Sequence, residues 1–130
     1  LLMNKTILSA FNNTLDKFVH ELISSFPAER KFVVFKNAIK LVQKVNPRKV
    51  LILFIEYISP YKDKLIQRDE EFFLNNNYIN IINKTNASKE NAWTLIDKIK
   101  VYWKDINQQN KDIIWDYFKV LITLAYKYIA

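Results

Sequence analysis

The chain has 130 residues, a formal net charge of +7, no cysteine and no glycine, and half of its residues are hydrophobic. That length is one domain (1–130), and 9 Phe, 7 Tyr and 3 Trp supply material for a core. Without cysteine there are no disulfides, thiol nucleophiles or thiolate metal sites. Without glycine there are no Gly-rich loops to cradle phosphates or dinucleotides, and no nucleophile elbow.

Ile7, Phe11, Leu15, Phe18, Leu22 and Phe26 recur at three- and four-residue steps, which predicts a first helix from about Lys5 to Ser25. Phe26-Pro27 ends it and starts a second, because proline suits a first helical turn and disfavours helix just before itself. This second helix runs to about Val45. Phe32, Phe35, Ile39 and Val42 form its inner seam, and Val34, Ala38 and Leu41 extend the apolar side to about half the circumference. Asn46-Pro47 reads as cap and first helical residue of the next helix. The apolar run from Val50 to Ile55 is read as helix, since no partner strand is visible elsewhere. Ser59-Pro60 repeats the signal for a short helix to about Gln67.

Asp69-Glu70-Glu71 gives an acidic first turn to another short helix through Phe72-Phe73-Leu74. Asn75–Asn77 reads as a turn, Tyr78–Ile82 as a short apolar stretch and Asn83–Asn86 as a loop. Ser88 is the expected cap of a helix to about Ile106, with Leu95, Ile99, Tyr102, Trp103 and Ile106 as its seam. Asn107–Asn110 is the expected turn into the last helix, about Lys111 to Tyr128. Its polar strip is narrow (Asp112, Asp116, Lys119, Thr123, Lys127), and Ile113, Ile114, Trp115, Phe118, Leu121, Ile122 and Leu124 cover the rest. A helix this apolar must be surrounded. The expected fold is therefore all-α: a compact bundle of four longer helices plus two or three short ones, with the C-terminal helix central or half-covered by a partner chain.

The charge is uneven. Between Ala28 and Lys49, Arg30, Lys31, Lys36, Lys40, Lys44, Arg48 and Lys49 face Glu29 alone. Lys36, Lys40 and Lys44 form one stripe at i,i+4 spacing, where like charges repel by a few tenths of a kcal/mol per pair, on the order of 0.2–0.5. The stripe does not serve helix stability. It reads either as a solvated face or as a site for an anionic partner, with Arg30, Lys36, Lys40, Lys44, Arg48 and Lys49 as the candidate anion- or nucleic-acid-binding residues.

No catalytic constellation emerges, and the chain reads as a binding protein and not an enzyme, without cofactor or metal. His20 is the sole histidine and points away from the apolar face of the first helix. The consecutive acids Asp69, Glu70 and Glu71 diverge and are explained by a helix N-terminus. Trp93 and Val101 lie off the main seam of their helix, and Tyr126 and Tyr128 flank the end of the last one. These four are either a second packing face or a protein interface. The longest nearly apolar run, Val120 to Tyr126, is far short of the ~20 residues of a membrane span.

Several stretches resemble uncharacterised small all-helical proteins of nucleocytoplasmic large DNA viruses. They are Phe11-Asn12-Asn13-Thr14-Leu15 with Phe18, Leu22-Ile23-Ser24-Ser25-Phe26-Pro27, Asn46-Pro47, Tyr57-Ile58-Ser59-Pro60-Tyr61, Asp69-Glu70-Glu71-Phe72-Phe73-Leu74, Tyr102-Trp103 and Asn110-Lys111-Asp112-Ile113-Ile114-Trp115-Asp116-Tyr117. The resemblance supplies no catalytic residues. It implies a protein of the virion or of the infected host cell. The expectation is a helical interaction module, a minor structural component or viral-factory scaffold that binds itself or a viral structural protein. The alternative is a non-specific nucleic-acid-binding protein using the basic helix 28–49.

Overall fold

The computed structural model describes residues 2–75 and 90–130, and the side chains of 3–75 and 95–130. Helix α1 spans Leu2–Ser25 and buries Phe11, Leu15, Phe18, Val19 and Leu22 along one face. It stops because its last amide bond, Phe26 N–H to Leu22 C=O (2.9 Å), is followed by Pro27, which has no N–H to give.

Helix α2 (Arg30–Val45) starts later than Pro27, contrary to the sequence expectation. Glu29 N–H closes a turn onto Phe26 C=O (3.0 Å), which uses up Pro27 and Ala28. The Glu29 carboxylate then caps the helix by accepting the Lys31 N–H at 3.2 Å. Asn46 likewise differs from its expected role. Its N–H bonds Val42 C=O (2.9 Å) and closes α2, and its side chain accepts the Arg48 N–H (3.1 Å) in an Asx turn. Helix α3 (Lys49–Ile58) begins only beyond that turn. Asn12 of α1 clasps the corner, donating to Pro47 C=O and accepting from Gln43 Nε2, both at 3.1 Å.

A 3-10 turn at Ser59–Tyr61 leads into α4 (Lys62–Ile66), and α5 spans Glu70–Asn75. Asp69 caps α5, accepting the Phe72 N–H at 3.0 Å. Helix α6 (Glu90–Tyr102) was expected to run on to Ile106. It tightens instead into a 3-10 turn at Trp103–Asp105, and Ile106 is extended. Helix α7 (Gln108–Ile129) starts before the expected Lys111, because Asn107 caps it by accepting the Asn110 N–H at 2.8 Å. The expected Ser88 cap, the Tyr78–Ile82 stretch and the Asn83–Asn86 loop lie outside the described residues.

The described residues form helices and no strand. α7 packs against α1, α3 and α4, while α2 packs against α1, α3 and α6. The C-terminal helix is the hub, burying Ile114, Trp115, Phe118, Leu121, Ile122 and Ala125. It is not enclosed on every side, since Ile113, Val120 and Ile129 reach solvent. Phe73 of α5 sits among Trp103, Trp115 and Phe118, with ring centroids 5.2, 5.5 and 6.0 Å away. Such edge-on and tilted contacts add about 0.5–1.5 kcal/mol each beyond the area buried. They tie the short helix to the hub.

Candidate functional site

The basic segment resolves into a surface. Arg30, Lys31, Lys40, Lys44, Arg48 and Lys49 are exposed and Lys36 is half-buried. The one acid of the segment is already committed. Glu29 accepts the Tyr102 hydroxyl at 3.2 Å and pairs with Lys98 of α6 at 3.4 Å, besides capping α2. Desolvation works to raise the pKa of this carboxyl. The Lys31 N–H, the Tyr102 hydroxyl and the Lys98 ammonium outweigh it and hold the group below its usual 4.5. Glu29 therefore stays ionised, but it faces α6 and leaves the positive charge of α2 uncompensated. Lys36, Lys40 and Lys44 make no ion pair with a described residue.

The outer face of α2 also carries aliphatic side chains, two of which, Val34 and Leu41, were expected on the apolar side. Val34 is 54% exposed, Leu41 68% and Val45 89%. Among the described residues the main neighbours of this helix are α1, α3 and α6, and they cover the face that carries Phe32. Phe32 is fully buried, and Phe35, Ile39 and Val42 are half-buried. At about 100° per residue, Val34, Leu41 and Val45 fall within about 40° of one another, well away from Phe32. Ala38 lies between this strip and an apolar cavity of about 170 Å³, walled by Phe35, Ile39 and Val42 of α2, by Val50 and Phe54 of α3 and by Leu95 of α6. The arrangement has no reacting group. It can bury apolar surface and attract negative charge.

The aromatic candidates are placed differently from one another. Val101 is 60% exposed on α6. Tyr126 and Tyr128 pack on the core, and cations lie over their outer faces: Lys62 Nζ 4.4 Å from the Tyr126 ring, the Arg48 guanidinium 5.7 Å from that of Tyr128. Arg48 and Tyr128, read from sequence as parts of two sites, thus meet at one corner. The side chain of Trp93 lies outside the described residues.

The acidic cluster is used for structure. Asp69 caps α5 and pairs with Lys64 (3.6 Å), and Glu70 accepts from Trp103 Nε1 (2.6 Å) and Lys111 (3.3 Å). His20 is exposed. Among the described residues no group of His, Cys, Asp and Glu could hold a metal ion, and no helix is long and apolar enough to cross a membrane. Sequence reasoning missed the exposed strip of Val34, Leu41 and Val45. The i,i+7 spacing of Val34 and Leu41 was its only trace. Comparison of the chain with protein-family models, with curated proteins and with solved structures gives no match.

Proposed function

We propose that this chain is a helical protein–protein interaction module that docks a partner on the outer face of α2. The observation that carries the reading is the strip of Val34, Leu41 and Val45, exposed on an ordered helix and adjoining an apolar cavity. Solvated aliphatic side chains gain about 25 cal/mol for each Å² a partner covers. The viral setting, a virion component or a viral-factory scaffold, is supported by the resemblance in short sequence stretches alone.

A second reading, non-specific nucleic-acid binding, is favoured by the uncompensated lysines of α2. It predicts affinity that falls steeply with salt. A photoreactive side chain at position 41, irradiated in extract of the source cells, tests the first reading. A defined protein adduct that disappears in the V34S/V45S variant supports it, and adducts to nucleic acid alone overturn it. The second reading fails if single- and double-stranded DNA and RNA bind K36E/K40E/K44E as well as they bind the native chain.

A further inference from the structure

Three features of the α2 face specify what kind of partner it fits. The first is its shape. Val34 to Val45 is three turns, about 16 Å, of a straight ridge. Val34 and Leu41 repeat at the seven-residue spacing by which one helix meets another in near-parallel packing. The second is the charge on both sides of the ridge. Arg30 and Lys44 lie about 20–80° to one side of Leu41 and Val34, and Lys31 about 60–80° to the other. Arg48 and Lys49 follow at the Val45 end, and all five are exposed. The third is the absence of an internal counter-charge, since the only acid between Ala28 and Lys49 is Glu29, held by Lys98 and Tyr102.

We propose that the occupant of this face is an acidic amphipathic helix of another protein. Its apolar residues pack on Val34, Leu41 and Val45, and its carboxylates face Arg30, Lys31 and Lys44. This rests on the interaction-module reading above and names the partner's chemistry.

Charge argues against a second copy of this chain in the same place. Pairing two such faces would bring the five exposed cations Arg30, Lys31, Lys44, Arg48 and Lys49 against the same five, with each Glu29 already engaged. A phosphate backbone would satisfy the cations, but it offers nothing apolar to cover Leu41 at 68% and Val45 at 89% exposure. A flat anionic bilayer would meet the ridge and leave the adjoining cavity unfilled. A helix instead presents separate side chains that can pack around Ala38, which borders both the ridge and the cavity.

The test uses the full chain and a synthetic helical peptide of about five turns. The peptide carries leucines at i, i+7 and i+11 and glutamates on both flanks. The same composition in scrambled order, oligoglutamate, phosphatidylserine vesicles and duplex DNA are titrated in parallel. The expected result is saturable binding of the peptide, roughly tenfold tighter than its scrambled form. That binding weakens roughly fivefold or more in L41S and in K44E, and weakens with added salt. Both positions are exposed, and V45E serves as a second variant at the most solvated one.

Equal binding of scrambled peptide or oligoglutamate overturns the proposal, as does an L41S variant that binds like the native chain. Tight binding of vesicles or duplex that L41S abolishes also overturns it, by assigning the ridge to another class of partner. Failure here together with a protein adduct at position 41 would reject the acidic helix and keep the interaction module. Failure of both rejects the two together.

Discussion

Arg68 holds a left-handed backbone conformation (φ 57°) and from it donates to Asp116 of α7 at 2.5 Å. The conformation is dictated by the end of α4. Arg68 N–H bonds Leu65 C=O (3.2 Å) and Asp69 N–H bonds Lys64 C=O (3.0 Å), a pattern that normally recruits glycine. The chain has no glycine to offer, and Arg68 uses the position to reach Asp112 (3.5 Å) as well as Asp116. The left-handed turn costs a residue with a Cβ roughly 1–2 kcal/mol. The bridge is exposed on both sides and returns less than about 1 kcal/mol. Urea unfolding should therefore find R68G close to the native chain and R68A less stable than R68G by about 1 kcal/mol. Equal stabilities for the two variants would show that the left-handed turn costs nothing here.

Glu29 should make folding pH-dependent on the acid side. Its folded-state pKa lies below 4.5, despite desolvation, because the Lys31 N–H, Tyr102 and Lys98 favour the ionised form. A depressed carboxyl pKa means that the unfolded chain binds more protons in that range. The stabilisation is complete above pH 4.5 and is lost as pH falls through the lower folded value. The stability difference between the native chain and E29Q should be constant near neutrality and shrink below pH 4.5. Denaturant midpoints collected from pH 7 to pH 3 check this, and a difference that grows on acidification would contradict the assigned network.

Much of this architecture is legible in the spacing of apolar residues. Phe11, Leu15, Phe18 and Leu22 mark the buried face of α1, and Leu95, Ile99, Trp103 and Ile106 that of α6 and its terminal turn, where the structure buries them. Helix starts are less legible, because a cap is a side chain meeting an amide. Glu29 outcompetes Pro27, and Asn107 caps from within what looks like a turn. The burial of α2 is least legible. Val34 and Leu41 are residue types of a core, and their exposure depends on which faces of α2 the neighbouring helices cover. The lysine stripe is visible at once, but its lack of a counter-ion depends on Glu29 turning toward α6, a tertiary fact.

Tyr57 should report at the alkaline end. It is 7% exposed, and burial, with a smaller contribution from the Glu56 charge, pushes its hydroxyl from 10.0 up to about 12. A phenol raised in the folded state favours folding while it is neutral. That contribution is present below pH 10 and is lost as pH rises through about 12. A rise from 10.0 to about 12 corresponds to roughly 2–3 kcal/mol at most. Y57F has no hydroxyl to ionise, so its stability should fall less than that of the native chain between pH 10 and pH 12. Absorbance of the tyrosinate near 295 nm provides an independent titration, and parallel losses in both proteins would place Tyr57 in water.

Phe73 and Glu70 allow the two ways of fixing α5 to be weighed against each other. A helix of six residues does not hold itself together, so its place depends on what its side chains meet. Phe73 is 1% exposed and touches Trp103, Trp115 and Phe118. F73A removes a buried ring and leaves a cavity, a loss of about 3–5 kcal/mol. F73L refills part of the space and should recover more than half of that loss. Glu70 accepts the Trp103 indole N–H at 2.6 Å and a Lys111 contact at 3.3 Å, but its side chain is 46% exposed, so water can take its place. E70A should therefore lower stability by about 1 kcal/mol or less. Denaturant unfolding and amide exchange in α5 measure both. If E70A cost as much as F73A, the hydrogen bond to Trp103 would be what seats α5, and the aromatic cluster would be filling space around it.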